Sequence, residues 1–186
     1  PAEMAKIFEI MEHKYDKAAE LTINSPAECI MIPENLSSEV VGARYYKKYL
    51  RPYENKWIQR IREAGKYSFI HMDGQLKGLI KLVAETGFDV IEAATPLPSG
   101  DLSMQEIIDL VPGDTIIWGG MPGIMFTPLV GDEEFETHTR AILELMRQEP
   151  RYVLGVADQV PPNGTLERVG RVVEICEKFG RYRERN

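Results

Sequence analysis

The apolar positions change period along the chain, and the changes come in a regular order. Met4, Ile7, Phe8, Ile10 and Met11 recur at three-to-four spacing, which predicts an opening helix, and a second helix is expected over residues 14–22. Cys29-Ile-Met-Ile is then a continuous apolar run ending at Pro33, which reads as a strand buried on both faces of a parallel sheet. A long helix is predicted over 39–64, broken near Pro52 and closed by Gly65. The same strand-then-helix order follows four more times. Strands are expected at 67–73, 89–94, 115–120 and 152–158, and helices at 75–86, 103–110, 132–147 and 165–179, the last one capped by Gly180. No hairpin signal such as Asn-Gly joins two strands, so the series predicts an α/β fold with a parallel sheet.

Two architectures share that alternation. A doubly wound sheet calls for a Gly-rich phosphate turn after its first strand, where this chain has Pro33-Glu-Asn-Leu-Ser-Ser. In a barrel, chemistry gathers where strands end, and Glu34, His71, Asp73, Glu92 and Asp158 stand there, with Gly119 and Gly120. A complete barrel takes about 250 residues and about eight units. The expectation is therefore a partial (β/α)8 TIM-type barrel of about five parallel βα units. It would form one domain over residues 1–186, with the amino-terminal units lying outside it. The opening Pro1-Ala-Glu-Met, without an initiator Met, reads as mid-domain helix and suggests a piece of a longer protein, catalytically incomplete by itself.

Composition narrows the class. With 44% hydrophobic and 27% charged residues, 15 Gly and 12 Pro, the chain is neither disordered, collagen-like nor a disulfide scaffold. A net charge of -7, with basic residues scattered except for Arg181, Arg183 and Arg185, argues against nucleic acid as a partner. No apolar run approaches the roughly 20 residues that span a bilayer, and the amino end has no signal-peptide character, so a cytoplasmic protein without a membrane partner is expected. Cys29 and Cys176 read as reduced, buried thiols.

His71-Met72-Asp73 is the most informative tripeptide. Alternate residues of a strand share a face, so an imidazole and a carboxylate converge there, a spacing that suits two ligands of one metal or a hydrogen-bonded structural histidine. Asp158 ends the last strand before Gln-Val-Pro-Pro-Asn-Gly, where it is either a third ligand or a turn residue bonding its own loop. Glu92 faces opposite its apolar neighbours, toward the barrel mouth or toward a neighbouring cation. Glu34 and Asn35 follow a strand and are candidates for substrate binding, although an acid there also suits a helix start. Tyr45, Tyr46, Tyr49 and Tyr53 form an aromatic stripe expected to pack on the barrel, and His13 and His138 read as solvated surface. Residues 115–125 have the glycines of a loop that closes on a ligand. Gly-x-Ser-x-Gly, Cys-x-x-Cys and Walker motifs are absent.

In order, these motifs are His71-Met-Asp-Gly, Ala84-Glu-Thr-Gly-Phe-Asp-Val-Ile-Glu, Gly119-Gly120, Pro161-Pro162 and the closing stretch from Glu174 to Tyr182. Together they resemble the carboxyl-terminal half of the uroporphyrinogen decarboxylase superfamily, which includes methyltransferases that serve corrinoid proteins or coenzyme M. The resemblance runs from about Ala18 to Tyr182 and implies a (β/α)8 barrel. In the methyltransferase branch, a His-x-Cys-Gly strand end and a Cys before a Pro-Pro loop bind zinc. The matching positions are His71, Asp73 and Asp158, so the imidazole is kept and both thiolates give way to carboxylates. The resemblance then implies a divalent metal, zinc or a harder ion, with Glu92 as a catalytic proton acceptor or fourth ligand. The implied activity is metal-assisted methyl transfer between a small-molecule substrate and a corrinoid on a partner protein. Uroporphyrinogen decarboxylation in tetrapyrrole biosynthesis is the alternative enzyme reading. A half barrel acting as an interaction domain, its open side covered by the rest of the chain or by a second copy in a homo-oligomer, is the non-enzymatic one.

Overall fold

The computed structural model describes residues 2–181; of the features named above, Pro1, Tyr182, Arg183 and Arg185 lie outside them. Its centre is one five-stranded sheet in the order β1-β2-β3-β4-β5. The strands are β1 (Cys29–Leu36), β2 (Tyr67–Met72), β3 (Val90–Ala94), β4 (Ile116–Pro122) and β5 (Tyr152–Ala157). Every neighbouring pair is parallel. A doubly wound sheet reverses its strand order where the chain crosses to the second face. This order never reverses, which is the serial winding of a barrel wall.

The helices cover one face. Ile30, Ile32, Ile70, Ile91 and Ile117 share a core with residues of α3 (Arg51–Glu63), α4 (Ile80–Ala84) and α5 (Met104–Leu110), among them Trp57, Ile61, Val83 and Ile107. A second core joins Met121 and Phe126 to Phe135 and Leu143 of α6 (Asp132–Met146) and Ile175 of α7 (Leu166–Phe179). The opposite face stays open, with Met31 38%, Trp118 41% and Val153 43% exposed. This corrects the reading of β1 as buried on both faces, since the apolar run alternates between covered Ile30 and Ile32 and exposed Cys29 and Met31. Cys29 is accordingly an exposed free thiol, whereas Cys176 is half-buried.

Several boundaries differ from the sequence reading for local reasons. The opening helix α1 (Ala2–Ile23) is continuous, because nothing between Met11 and Lys14 breaks it, and ion pairs Lys56–Asp16 (2.7 Å) and Arg60–Glu20 (3.1 Å) tie its second half to α3. β1 passes through Pro33, which lacks an N–H for the ladder and is tolerated because β1 is an edge strand; the register with β2 shifts between Ile32 and Asn35. The long helix splits into α2 (Gly42–Tyr45), a π turn (Tyr46–Leu50) and α3. Pro52 cannot donate to the turn before it, and that turn widens so that the Arg51 N–H reaches Tyr46 O. Residues 74–79 form a loop rather than helix, held where Asp101 accepts from the amides of Leu76 (2.8 Å) and Lys77 (3.2 Å). The stretch read as a closing loop is mostly β4 followed by a 3-10 turn (Gly123–Phe126). Beyond it, Arg168 of α7 donates to Met125 O, Thr127 O and Val130 O and pairs with Asp132. Helices α5 and α7 begin as expected, with Ser103 in a capping box with Glu106 and Thr165 accepting from the Arg168 amide. Among the described residues, no helix is long and apolar enough to cross a membrane.

Candidate metal centre

His71, Asp73 and Asp158 converge at the carboxyl ends of β2 and β5, each offering a ligand atom within 4.8 Å of the others. His71 lies on the open face of β2, opposite the covered Ile70 and Met72. Asp73 follows the strand directly and hands its N–H to Leu36 O (3.2 Å), which anchors its backbone to β1. Asp158 follows β5 with φ at 72°, a left-handed conformation that Asp tolerates better than most side chains. There its Oδ1 stands 3.6 Å from His71 Nε2, while Oδ2 accepts from Gln159 Nε2 at 3.2 Å. Asp158 thus faces His71 with one oxygen and bonds the side-chain amide of its own loop neighbour Gln159 with the other.

Electrostatics favour a cation between these groups. Burial pushes the Asp73 carboxyl above its usual range, the neighbouring Asp158 adds to the rise, and His71 opposes it. His71 Nδ1 is 2.7 Å from Glu92 Oε2, both side chains being over four-fifths shielded. A neutral imidazole has one N–H and one lone pair, so an Nδ1–H donated to Glu92 leaves the Nε2 lone pair facing the two aspartates. Four-coordinate ions with bonds of about 2.0–2.2 Å hold ligand atoms roughly 3.3–3.6 Å apart. The His71–Asp158 separation of 3.6 Å already meets that spacing, and Asp73 offers an oxygen within 4.8 Å of both. The residues present fit a divalent ion. One nitrogen and carboxylate oxygens suit zinc and also manganese, iron or magnesium.

The other candidates separate. Asn35 pairs in register with His71 and stands beside the triad, whereas Glu34 lines a cleft with Tyr15, Tyr53 and Trp57 between α1, β1 and α3, where burial raises its carboxyl. Glu92 is engaged with His71 Nδ1. Of the tyrosines, Tyr46 is fully buried while Tyr45 and Tyr49 are exposed. His13 is exposed as expected, but His138 is half-buried with Nε2 3.2 Å from Gly120 O. Sequence reasoning missed a second polar cluster, in which Tyr46 Oη donates to Glu54 Oε2 (2.5 Å) and lies 2.8 Å from Thr86 Oγ1. The signal was present, since Glu54 shares one helical face with Leu50, Trp57, Ile58 and Ile61, an acid inside an apolar stripe.

The family model for uroporphyrinogen decarboxylase (URO-D) matches residues 1–179. Among solved structures, a methyltransferase from Methanosarcina mazei superposes with a TM-score of 0.66 at 14% identity, over 87% of this chain and 45% of its own. The chain thus spans less than half of that protein, and at such identity the likeness speaks for the fold. No curated protein sequence matches the chain.

Proposed function

The chain belongs to the uroporphyrinogen decarboxylase family, and on that premise we propose that it forms part of a metal-assisted methyltransferase working between a small methylated substrate and a corrinoid carrier protein. The observation that carries the reading is the convergence of His71, Asp73 and Asp158 within 4.8 Å on the open face at the strand ends. A divalent ion bound there supplies Lewis acidity to the heteroatom that gains or loses the methyl group. His71 contributes its Nε2 lone pair, Asp73 and Asp158 contribute charge, and Asn35, the register partner of His71 on β1, orients the substrate. Asp73, Glu92 and Asp158 make the strand ends around His71 negative, a field that favours a neutral or cationic donor over a polycarboxylate such as uroporphyrinogen.

The test uses the protein at its native length, assayed with cob(I)alamin and a panel of methylated donors, and separately with reduced uroporphyrinogen. The reading expects cobalamin methylation that Asp73→Ala and Asp158→Ala each abolish. Carbon dioxide release from uroporphyrinogen, undiminished in both variants, would assign the decarboxylation reaction instead.

A further inference from the structure

Glu92 and His71 are register partners on adjacent parallel strands, so their side chains leave the sheet on the same face. β3 is irregular just beyond Glu92. Ile91 pairs with Ile117 and Ala94 with Gly119, three steps on β3 against two on β4, which is one inserted residue. Ala93 takes up the insertion at φ 65°, fully buried, in a conformation that L residues other than Asn and Asp rarely adopt. Across the ladder, a Cβ on Gly119 would overlap the Ala94 backbone, so the bulge closes against a residue without a side chain. The bulge leaves Ile91, Ala93 and Ala94 buried, and Glu92 alone of this stretch meets the imidazole. Bulges commonly re-aim a side chain next to a functional site.

From this juxtaposition we infer that Glu92 is a positioning residue for the metal centre, neither a ligand nor the proton acceptor of the reaction. It accepts the Nδ1 proton of His71 and so fixes the tautomer and ring plane that present Nε2 to Asp73 and Asp158. A carboxylate behind a metal-binding histidine also makes the ligating nitrogen more basic. The inference rests on the metal reading, with an arm that stands apart from it.

Two variants of the native-length protein, Glu92→Gln and Glu92→Ala, test it. Titration with Zn(II) and Co(II) reads affinity and the Co(II) absorption spectrum, and nitrogen-15 NMR of the metal-free protein reads the His71 tautomer. Removal of such an outer carboxylate typically costs about 10–100-fold in metal affinity. Glu92→Ala is expected to lose that much and to shift His71 away from the Nδ1–H form. Glu92→Gln, whose amide oxygen still accepts, keeps that form and recovers most of the affinity, with the Co(II) spectrum unchanged. The inference is overturned by an Nε2–H tautomer in the unsubstituted protein, by wild-type affinity in Glu92→Ala, or by a changed Co(II) coordination number in Glu92→Gln, which would make Glu92 a ligand. Absence of metal binding in the unsubstituted protein would remove the metal reading alone. The Nδ1–H tautomer and its loss in Glu92→Ala would still establish that Glu92 sets the ring.

Discussion

Two polar clusters in this molecule bury carboxylates and use them in opposite ways. Beneath the helices, Glu54 is fully buried, and burial pushes its carboxyl up to about 7 although Tyr46 hydrogen-bonds it and opposes the rise. Tyr46 Oη lies between Glu54 and Thr86 Oγ1, and Thr86 in turn donates to Leu82 O, so the cluster ties the π turn, α3 and the end of α4 together. On the open face, Asp73, Asp158 and His71 Nε2 turn toward one another, while Glu92 bonds the imidazole from behind and Asp158 bonds its neighbour Gln159. The first arrangement bonds Glu54 Oε2 within the chain and leaves Oε1 buried without a partner among the described residues; the second leaves its ligand atoms facing one another, as the proposed cation requires. The first acid is held by one hydrogen bond and is costly to ionise, whereas the second group keeps its acids close enough to share an ion.

The sharpest break of that comparison is a double dissociation. Asp158→Asn is expected to remove metal binding while changing stability by about 0.5 kcal/mol or less, since its side chain is 40% exposed and Asn also tolerates the left-handed backbone. Tyr46→Phe is expected to keep metal binding and to lose about 1–3 kcal/mol, because Glu54 forfeits its buried donor. Metal titration alongside urea unfolding of both variants checks this. Equal losses of stability would merge the two clusters into one kind.

A smaller but more diagnostic effect is the pH dependence of stability. Glu54 has a folded pKa raised to about 7 from 4.5, so the folded state holds its proton more tightly than the unfolded chain does. Its contribution is therefore full below about pH 4.5 and is lost progressively as pH rises to about 7. At 1.36 kcal/mol per unit the loss is on the order of 3 kcal/mol. Glu54→Gln should flatten that part of the profile, read as unfolding free energy at intervals between these limits. An unaltered slope in the variant would mean that Glu54 keeps a common carboxylate pKa.

The smallest expected effect concerns the backbone behind the site. Ala93→Gly relieves the left-handed strain at the bulge, against the greater freedom of glycine in the unfolded chain, for a net gain of about 0.5–1 kcal/mol. Thermal unfolding measures it, and a loss of stability would show that the Ala93 methyl is worth more than the strain.

The wall of the barrel was legible because strand and helix periods differ and each unit repeats them. His71, Asp73 and Asp158 were legible as strand-end polar residues. Their convergence needed the curvature of the sheet, since 84 residues lie between Asp73 and Asp158 by their numbering. The role of Glu92 was illegible for a related reason. Its engagement with His71 depends on the register between β2 and β3, which the residue types of neither strand announce. The open face was misread because four consecutive apolar residues in Cys29-Ile-Met-Ile fit a strand covered on either side or on both. α1 was divided in two because its apolar stripe weakens after Met11, a change in which face is covered rather than a break in the helix.

The most direct measurement is the Co(II) stoichiometry of the native-length protein and its Asp158→Ala variant as pH is lowered. The account predicts one ion per chain, lost in the variant. In the unsubstituted protein the ion should be released as pH falls, beginning above the usual carboxylate range because the Asp73 carboxyl is raised. One ion per chain in both proteins, with identical release profiles, would contradict it.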